Sequence, residues 1–280
     1  MRWPGPASMP PLDAPPGRAP GRAPVRLALA TARVQNRVVE PAEYQLMDEA
    51  EDGMWWYRAL HAGVLDVLDP NRAGPVLDAG CGTGGFLARL RQARPGGSAM
   101  GVEFKPEAAA RARTKAGVPV AAGSINAIPF ADAAFGGLVS LDVLCHAAAE
   151  PDRALAEFRR VLRPGGQLVV NLPAFQWLSS AHDARVHNAR RFTAGGARAL
   201  LAAAGFTDVR ARYWNALLFP LMVAQRKLLA RDEGHRSDVA VPPPWLNRGL
   251  HAVTALERRM SAAGLSFPAG GSVLATATRP

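Results

Sequence analysis

Pro75-Val76-Leu77-Asp78-Ala79-Gly80-Cys81-Gly82-Thr83-Gly84-Gly85-Phe86-Leu87 is the stretch from which the rest of the chain is read. A short apolar run ends in a carboxylate, passes through alternating glycines and enters a helical pattern at Phe86, Leu87 and Leu90. The expectation is strand, tight turn, helix N-terminus. Side chains in such a turn would hold a ligand off the backbone amides and block positive φ, so glycine is required. Gly80, Gly82 and Gly85 also fit the dinucleotide spacing G-x-G-x-x-G, so the glycines alone do not choose the ligand. Asp78 is more selective. A diphosphate on this helix N-terminus would lie near an anionic side chain, whereas sulfonium and ammonium charges would be attracted.

Outward from this turn, Ser98-Ala99-Met100-Gly101-Val102-Glu103 reads as a second strand ending in an acid. Glu103 lies 23 residues beyond Gly80, the spacing at which a strand-end carboxylate reaches ribose hydroxyls. Pro106 to Ala116 is an amphipathic helix with proline in its first turn. Val118 to Ala122 reads as strand three, and Gly137 to Val143 as an apolar strand four. Pro151 to Leu162 is helical, and Gln167 to Leu172 is strand five. Phe206 to Tyr213 and Ser272 to Thr278 alternate apolar and polar residues as two last strands. The alternation of strands and helices predicts an α/β, doubly wound seven-stranded sheet with helices on both faces.

The strand-D-x-G-x-G-x-G phrase resembles motif I of the class I S-adenosylmethionine-dependent methyltransferases, and the resemblance is clear from about Glu40 to Arg231, plus the final strand. It implies a Rossmann-like, mostly parallel sheet with the last strand antiparallel and S-adenosylmethionine as cofactor. Trp55-Trp56-Tyr57-Arg58 resembles a Trp-Trp-Phe/Tyr-Arg phrase of a bacterial subgroup often called type 11. The resemblance implies that Trp56 caps the cofactor and that Arg58 partners its carboxylate. Three adjacent aromatics otherwise suit a helix wedged between two apolar surfaces. Gly123-Ser124-Ile125-Asn126-Ala127-Ile128-Pro129-Phe130 resembles the family's G-D-A-x-x-L-P-F element, which holds adenine. Ser124 stands where the family usually has Asp, so its contact is weaker, and Asn126 is an alternative contact. In the family the end of strand four, here Leu141, forms the floor beside the methyl donor. Cys81, Gly84 and Phe104 complete the expected cofactor set of Asp78, Gly80, Gly82, Glu103, Ser124, Ile125, Leu141, Trp56 and Arg58. Val161-Leu162-Arg163-Pro164-Gly165-Gly166 resembles a family phrase whose role is a turn.

The chemistry-bearing residues gather after strand five, at the carboxyl edge where α/β sheets bind ligands. His182-Asp183, His187, Arg190-Arg191 and Phe192-Thr193 resemble the subgroup's H-D-x-x-x-x-H-x-R-R-Y/F-T segment. One reading has His182 or His187 abstract a proton while Arg190 and Arg191 hold an anionic substrate group beside Trp177. The other has these side chains cap carbonyls and pair with Asp183. His146 faces either the substrate pocket or a neighbouring helix. No metal is expected, because His182, Asp183 and His187 fit no compact helical chelate. Methyl transfer from a sulfonium needs chiefly collinear positioning, and a general base only when the nucleophile arrives protonated.

Composition bounds the rest. The chain has 280 residues, 49% of them hydrophobic, enough for one α/β domain with an appendage. Cys81 and Cys145 are the only cysteines, which excludes a disulfide scaffold and suits a reducing compartment. No window reaches the roughly 18 to 20 apolar residues of a membrane span. A cytoplasmic protein is the expectation, with peripheral contact at the inner membrane face as an option. The formal charge of +10 is uneven: residues 1–37 carry six arginines against Asp13, and residues 185–236 carry nine arginines and Lys227 against three acids. Residues 1–37, rich in proline and arginine, read as a disordered arm. Residues 38–280 read as one methyltransferase domain: cap 38–70, cofactor core 71–213, helical insertion 214–271 and final strand 272–280.

The insertion holds an apolar run with a basic end, Asn215 to Arg231, with Pro220 in a helix's first turn. Packing, a dimer face and docking on an anionic membrane surface compete for it. The expected acceptor is a small or lipid-linked molecule, methylated at O, N or C. No nucleic-acid partner is expected, although RNA methylation is the runner-up that the charge raises, and the sequence does not give the oligomeric state. An NAD-type oxidoreductase is the other class, opposed by Asp78 and by the lack of a catalytic Tyr-x-x-x-Lys pair. A scaffold that keeps the pocket without turnover is the third.

Overall fold

The structure, a computed structural model, describes residues 48–179, 183, 187–229 and 242–280. The chain divides into Met1–Asn36 and Arg37–Pro280, and every described residue belongs to the second unit. The expected arm, residues 38–47 of the expected cap, and His182 lie outside the described residues.

Helix α1 (Trp55–Val67) precedes strand β1 (Val76–Ala79), helix α2 (Gly85–Ala93), strand β2 (Ala99–Glu103), helix α3 (Pro106–Ala116) and strand β3 (Val120–Ala122). There follow β4 (Phe135–Leu141), α4 (Pro151–Val161), β5 (Leu162–Pro173), a 3-10 turn (Gln176–Leu178), α5 (Ala194–Ala203) and β6 (Thr207–Trp214). Helix α6 (Phe219–Ala224), a π-helical turn (Gln225–Leu229), α7 (Pro244–Ala262) and β7 (Ser272–Thr278) complete the chain. The seven strands form one sheet in the order β3-β2-β1-β4-β5-β7-β6. β7 pairs antiparallel with both β5 and β6, and the other pairings are parallel. This is the doubly wound, Rossmann-like architecture expected.

All four residues of β1 are buried, as a central parallel strand covered on both faces demands. Its side chains alternate between two apolar clusters. Leu77 joins Leu138, Leu155, Phe158, Leu168 and Leu201 on one face. Val76 joins Leu60, Val64, Leu87, Leu90, Ala112 and Val139 on the other. Helices α4 and α5 therefore cover one face, and α1, α2 and α3 the other. Helix α4 shows why its sequence folds so: Ala154, Leu155, Phe158 and Val161 lie on one stripe, and Pro151 opens the first turn.

Two expectations shift. Strand β4 begins and ends two residues earlier than the apolar run suggested, because Asp142 takes a positive φ of 54° and turns the chain out of the sheet. The Arg163-Pro164-Gly165-Gly166 turn lies inside the span of β5. It forms an irregularity there, with Gly165 at φ 73° and a register shift between Phe135 and Gly137.

The insertion between β6 and β7 folds back onto α1. Asn247 of α7 accepts from the Trp55 amide at 2.8 Å and donates to the Gly53 carbonyl at 2.9 Å. Arg258 holds Asp66 through two bonds of 2.8 Å. Glu257, itself buried, accepts from the amides of Ala216 and Leu217 at 2.7 and 3.0 Å, fixing the exit from β6. Among the described residues no helix is long and apolar enough to cross a membrane. Replacing Glu257 by Ala leaves two amides without partners. It is expected to lower unfolding stability by about 1–3 kcal/mol, read as a shifted urea midpoint, with Glu257→Gln recovering part of the loss.

Candidate active site

The sheet order reverses between β1 and β4, and α/β sheets bind ligands outside the carboxyl ends of the strands at such a point. The glycine turn after β1 forms one wall of this crevice. Gly80 has φ 85°, and a Cβ there would stand 2.5 Å from a Val143 methyl group. Gly84 caps α2 at φ 94°, with Ala112 2.8 Å from the position of its missing Cβ. The turn thus needs glycine both for its conformation and for close packing against Val143, just beyond β4, and against α3.

The amides of the turn are largely spent inside the protein. Gly80 and Cys81 donate to the Val102 carbonyl at 2.8 and 3.1 Å, and Gly84 to the Cys81 carbonyl at 3.0 Å. Gly82 donates to Glu103 Oε2 at 3.0 Å, and Lys105 N to Glu103 Oε1 at 3.0 Å. Glu51, from the segment before α1, reaches the start of α2: a Cβ on Gly85 would stand 2.5 Å from its Oε2. Its Oε1 accepts from Thr83 Oγ1 at 2.6 Å and from Lys115 Nζ at 2.5 Å. Two protein carboxylates therefore occupy the amide nest and helix N-terminus where a diphosphate would dock. Glu51 carries no local motif and was not singled out in the sequence. Only the fold brings it to this turn.

Asp78, Glu103 and Glu51 are all buried. Burial holds the Asp78 carboxyl well above the usual range, and the charges of Glu103 and Glu51 push it further. Burial also raises Glu51, against the hydrogen bonds from Lys115 and Thr83. The Cys81 thiol is raised by burial and by Asp78, which leaves it protonated and inert. Three carboxylates this close favour a cationic ligand and oppose an anionic one.

The remaining expected cofactor residues are placed as follows. Ile125 is buried in the core, and Ser124 Oγ accepts from the Asn126 amide at 3.1 Å. The Asn126 side chain bonds the Ala148 carbonyl and the Glu150 amide, both at 3.0 Å. Phe104 is exposed beside Glu103, and Leu141 is half-buried at the end of β4. Trp56 packs on Trp214, with ring centroids 5.9 Å apart. Arg58 lies near enough to His251 of α7 to add to the lowering of that imidazole's pKa, which burial dominates.

A second polar network lines the β4 side of the crevice. Trp214 Nε1 donates to Asn171 Oδ1 at 2.7 Å, and Asn171 Nδ2 donates to Asp142 Oδ2 at 2.9 Å. Asp142 Oδ1 is buried with no hydrogen-bond partner among the described residues. Burial pushes this carboxyl up to about 6, against the Asn171 bond and the Arg191 charge. Arg191 forks onto Asp183 at 2.8 and 2.9 Å, both side chains being buried, and also donates to the Ala174 carbonyl. Arg190 donates to the carbonyls of His146 and Ala149. The two arginines thus make the carbonyl-capping and Asp183-pairing contacts of the second reading. Asn188 joins Asp183 to the Cys145 thiol, and the Ala147 amide donates to the carbonyl of His187, itself half-buried at φ 54°. Trp177 is half-exposed against Phe175 and Phe219, with Lys227 5.9 Å over its ring. Among the described residues no three His, Cys, Asp or Glu side chains group as a metal site.

Comparison with known proteins falls on the same part of the chain. Residues 77–170 match the family model described as "Methyltransferase domain". The chain is 38% identical over 131 residues to a demethylmenaquinone methyltransferase of Thermus thermophilus, covering 45% of this chain and 57% of that one. It is 34% identical over 125 residues to a 24-methylenesterol C-methyltransferase of Oryza sativa, covering 42% and 33%. The chain thus spans a third to just over half the length of these relatives. Among solved structures, a possible histamine N-methyltransferase of Thermotoga maritima shares the fold at TM-score 0.58 and 20% identity, covering 89% of this chain and 99% of that one.

The Asp183–Arg191 pair supplies a stability test. Asp183→Ala leaves a buried guanidinium without its carboxylate and is expected to cost about 3–5 kcal/mol in chemical denaturation. A purely catalytic aspartate would leave the midpoint in place.

Proposed function

We propose that this chain, which carries a class I S-adenosylmethionine-dependent methyltransferase domain, transfers a methyl group to O, N or C of a small or lipid-linked acceptor. The observation that carries the proposal is the buried trio Asp78, Glu103 and Glu51 at the glycine turn, two of whose carboxylates fill the positions a diphosphate would need. S-adenosylmethionine supplies an activated methyl group on a positively charged sulfur. In this reading Asp78 and the glycine turn, with Cys81 in it, hold the positively charged end of the donor. Glu103, at the carboxyl end of β2, accepts from ribose hydroxyls. Ile125, Ser124 and Phe104 flank the adenine, Leu141 floors the crevice, and Trp56 with Arg58 closes it from α1. Transfer is an in-line displacement in which orientation supplies much of the rate. Where the acceptor arrives protonated, His146, His182 or His187 takes the proton. Isothermal titration tests the reading: S-adenosylhomocysteine is expected to bind and NAD not to bind. The reverse result would move the chain to the oxidoreductases.

The acceptor proposed is lipophilic. The relatives just described are named for a demethylmenaquinone and a sterol. In this chain Trp177, Leu217 and Leu221 are exposed around α6, and Lys227 lies over Trp177. Apolar side chains beside basic ones suit peripheral contact with an anionic membrane. The full-length protein is then expected to co-sediment with anionic liposomes at low salt and to be released as salt rises. Absence of binding at low salt would remove the membrane part of the proposal.

A further inference from the structure

The carboxyl ends of β1 and β4 flank the switch-point crevice, and each carries an aspartate there: Asp78 one residue before the end of β1 and Asp142 just beyond β4. The first is part of the carboxylate trio. The second has a different setting. Its φ of 54° turns it out of the sheet, and its neighbour Val143 packs against Gly80 of the glycine turn. Its amide donates to the Asn171 carbonyl and its Oδ2 accepts from the Asn171 side chain. Backbone and one oxygen are thus fixed from β5, while Oδ1 is buried with no partner among the described residues. A buried acceptor with nothing to accept costs stability, and such groups persist where a ligand or a function uses them. Leaning on Trp214, Asn171 itself is held rigidly, so the orphan oxygen is preorganised.

Resting on the methyl-donor reading above, we propose that ionised Asp142 contributes the negative charge by which the crevice holds the cationic methyl donor more tightly than its neutral, demethylated product. Donor and product differ at this crevice by one methyl group and one positive charge. A carboxylate in a partly dry site discriminates between them by Coulomb attraction, which the loss of the methyl group cancels. Product release is thereby favoured after each transfer. Burial places the ionisation of Asp142 near pH 6, so the discrimination is absent in acid and present at neutral pH. The groups facing Asp142 are Asn171 from β5, Arg191 with its partner Asp183, and on its own segment Cys145 and His146. The Cys145 thiol is held protonated by burial and so does not account for a change near pH 6. Asp78 and Glu51, whose carboxyls burial also raises, lie at the same crevice, and protonated histidines would repel a sulfonium, so the rise is assigned to Asp142 only where Asp142→Asn abolishes it.

The test is isothermal titration of the full-length protein with S-adenosylmethionine and S-adenosylhomocysteine, from about pH 5 to pH 8. The wild type is expected to gain about tenfold or more in its preference for the sulfonium compound as pH rises through about 6. Asp142→Asn is expected to bind S-adenosylhomocysteine as the wild type does, and to show a lower, pH-independent preference. A flat wild-type ratio overturns the proposal, as does a pH-dependent ratio that survives in Asp142→Asn. Should that variant fail to bind either compound, the wild-type profile decides together with His146→Gln and His187→Gln, in which the rise must persist. A wild type that binds neither compound overturns the methyl-donor reading itself, a result distinct from loss of discrimination.

Discussion

The carboxylate of Glu103, gripped by the amides of Gly82 and Lys105, is the contact on which the candidate site depends. It ties the end of β2 to the turn after β1. The same bonds take up an amide that a dinucleotide phosphate would seek. Glu51 does the equivalent at the start of α2, anchored by Thr83 and by Lys115 of α3. Side chains from outside the loop thus fill positions that its dinucleotide-like spacing would leave to a phosphate. In the function proposed, the charge of these acids, not the glycine pattern, carries the discrimination.

The sequence made much of this legible where the signal was local. The run from Pro75 to Leu87 gave strand, turn and helix in their observed order, and Ser272–Thr278 is strand β7 residue for residue. Pro106 and Pro151 marked helix starts that the fold confirms. What escaped was non-local. Glu51 sits in a segment with no motif, and its place at the turn follows from the packing of the early helical segment against α2 and α3. Asp142 was hidden inside an apolar run that reads as strand to Val143. Only the positive φ of Asp142 shows that the sheet has already ended there. The pairing of Arg191 with Asp183 was one of two readings of the same residues, because spacing does not reveal whether a charge is satisfied.

The polar network on the β4 side links parts of the chain that share no sequence feature. Trp56 rests on Trp214, Trp214 bonds Asn171, and Asn171 bonds Asp142. Helix α1, the end of β6, the middle of the sheet and the crevice are joined through four side chains. Buried hydrogen bonds of this kind fix orientation more than they add stability. An aromatic in the segment expected to cap the site is therefore coupled to a carboxylate within it without touching it.

Strand β6 has a single hydrogen-bonded neighbour, and that neighbour is β7, which is inserted between β5 and β6. During synthesis the ribosome delivers β6 and the whole of α7 before it delivers the strand that gives them a place in the sheet. Until Ser272–Thr278 emerges, β5 presents an unfilled edge and β6 waits unpaired, so closure of the sheet is a late, long-range event. The clasp of Asn247 on the start of α1 belongs to the same late phase, since it joins residues 192 apart in sequence. The α7 side of α1 is thus covered only after the segments before α7 have been made, whereas its other face packs on α2 and β4 from residues already present.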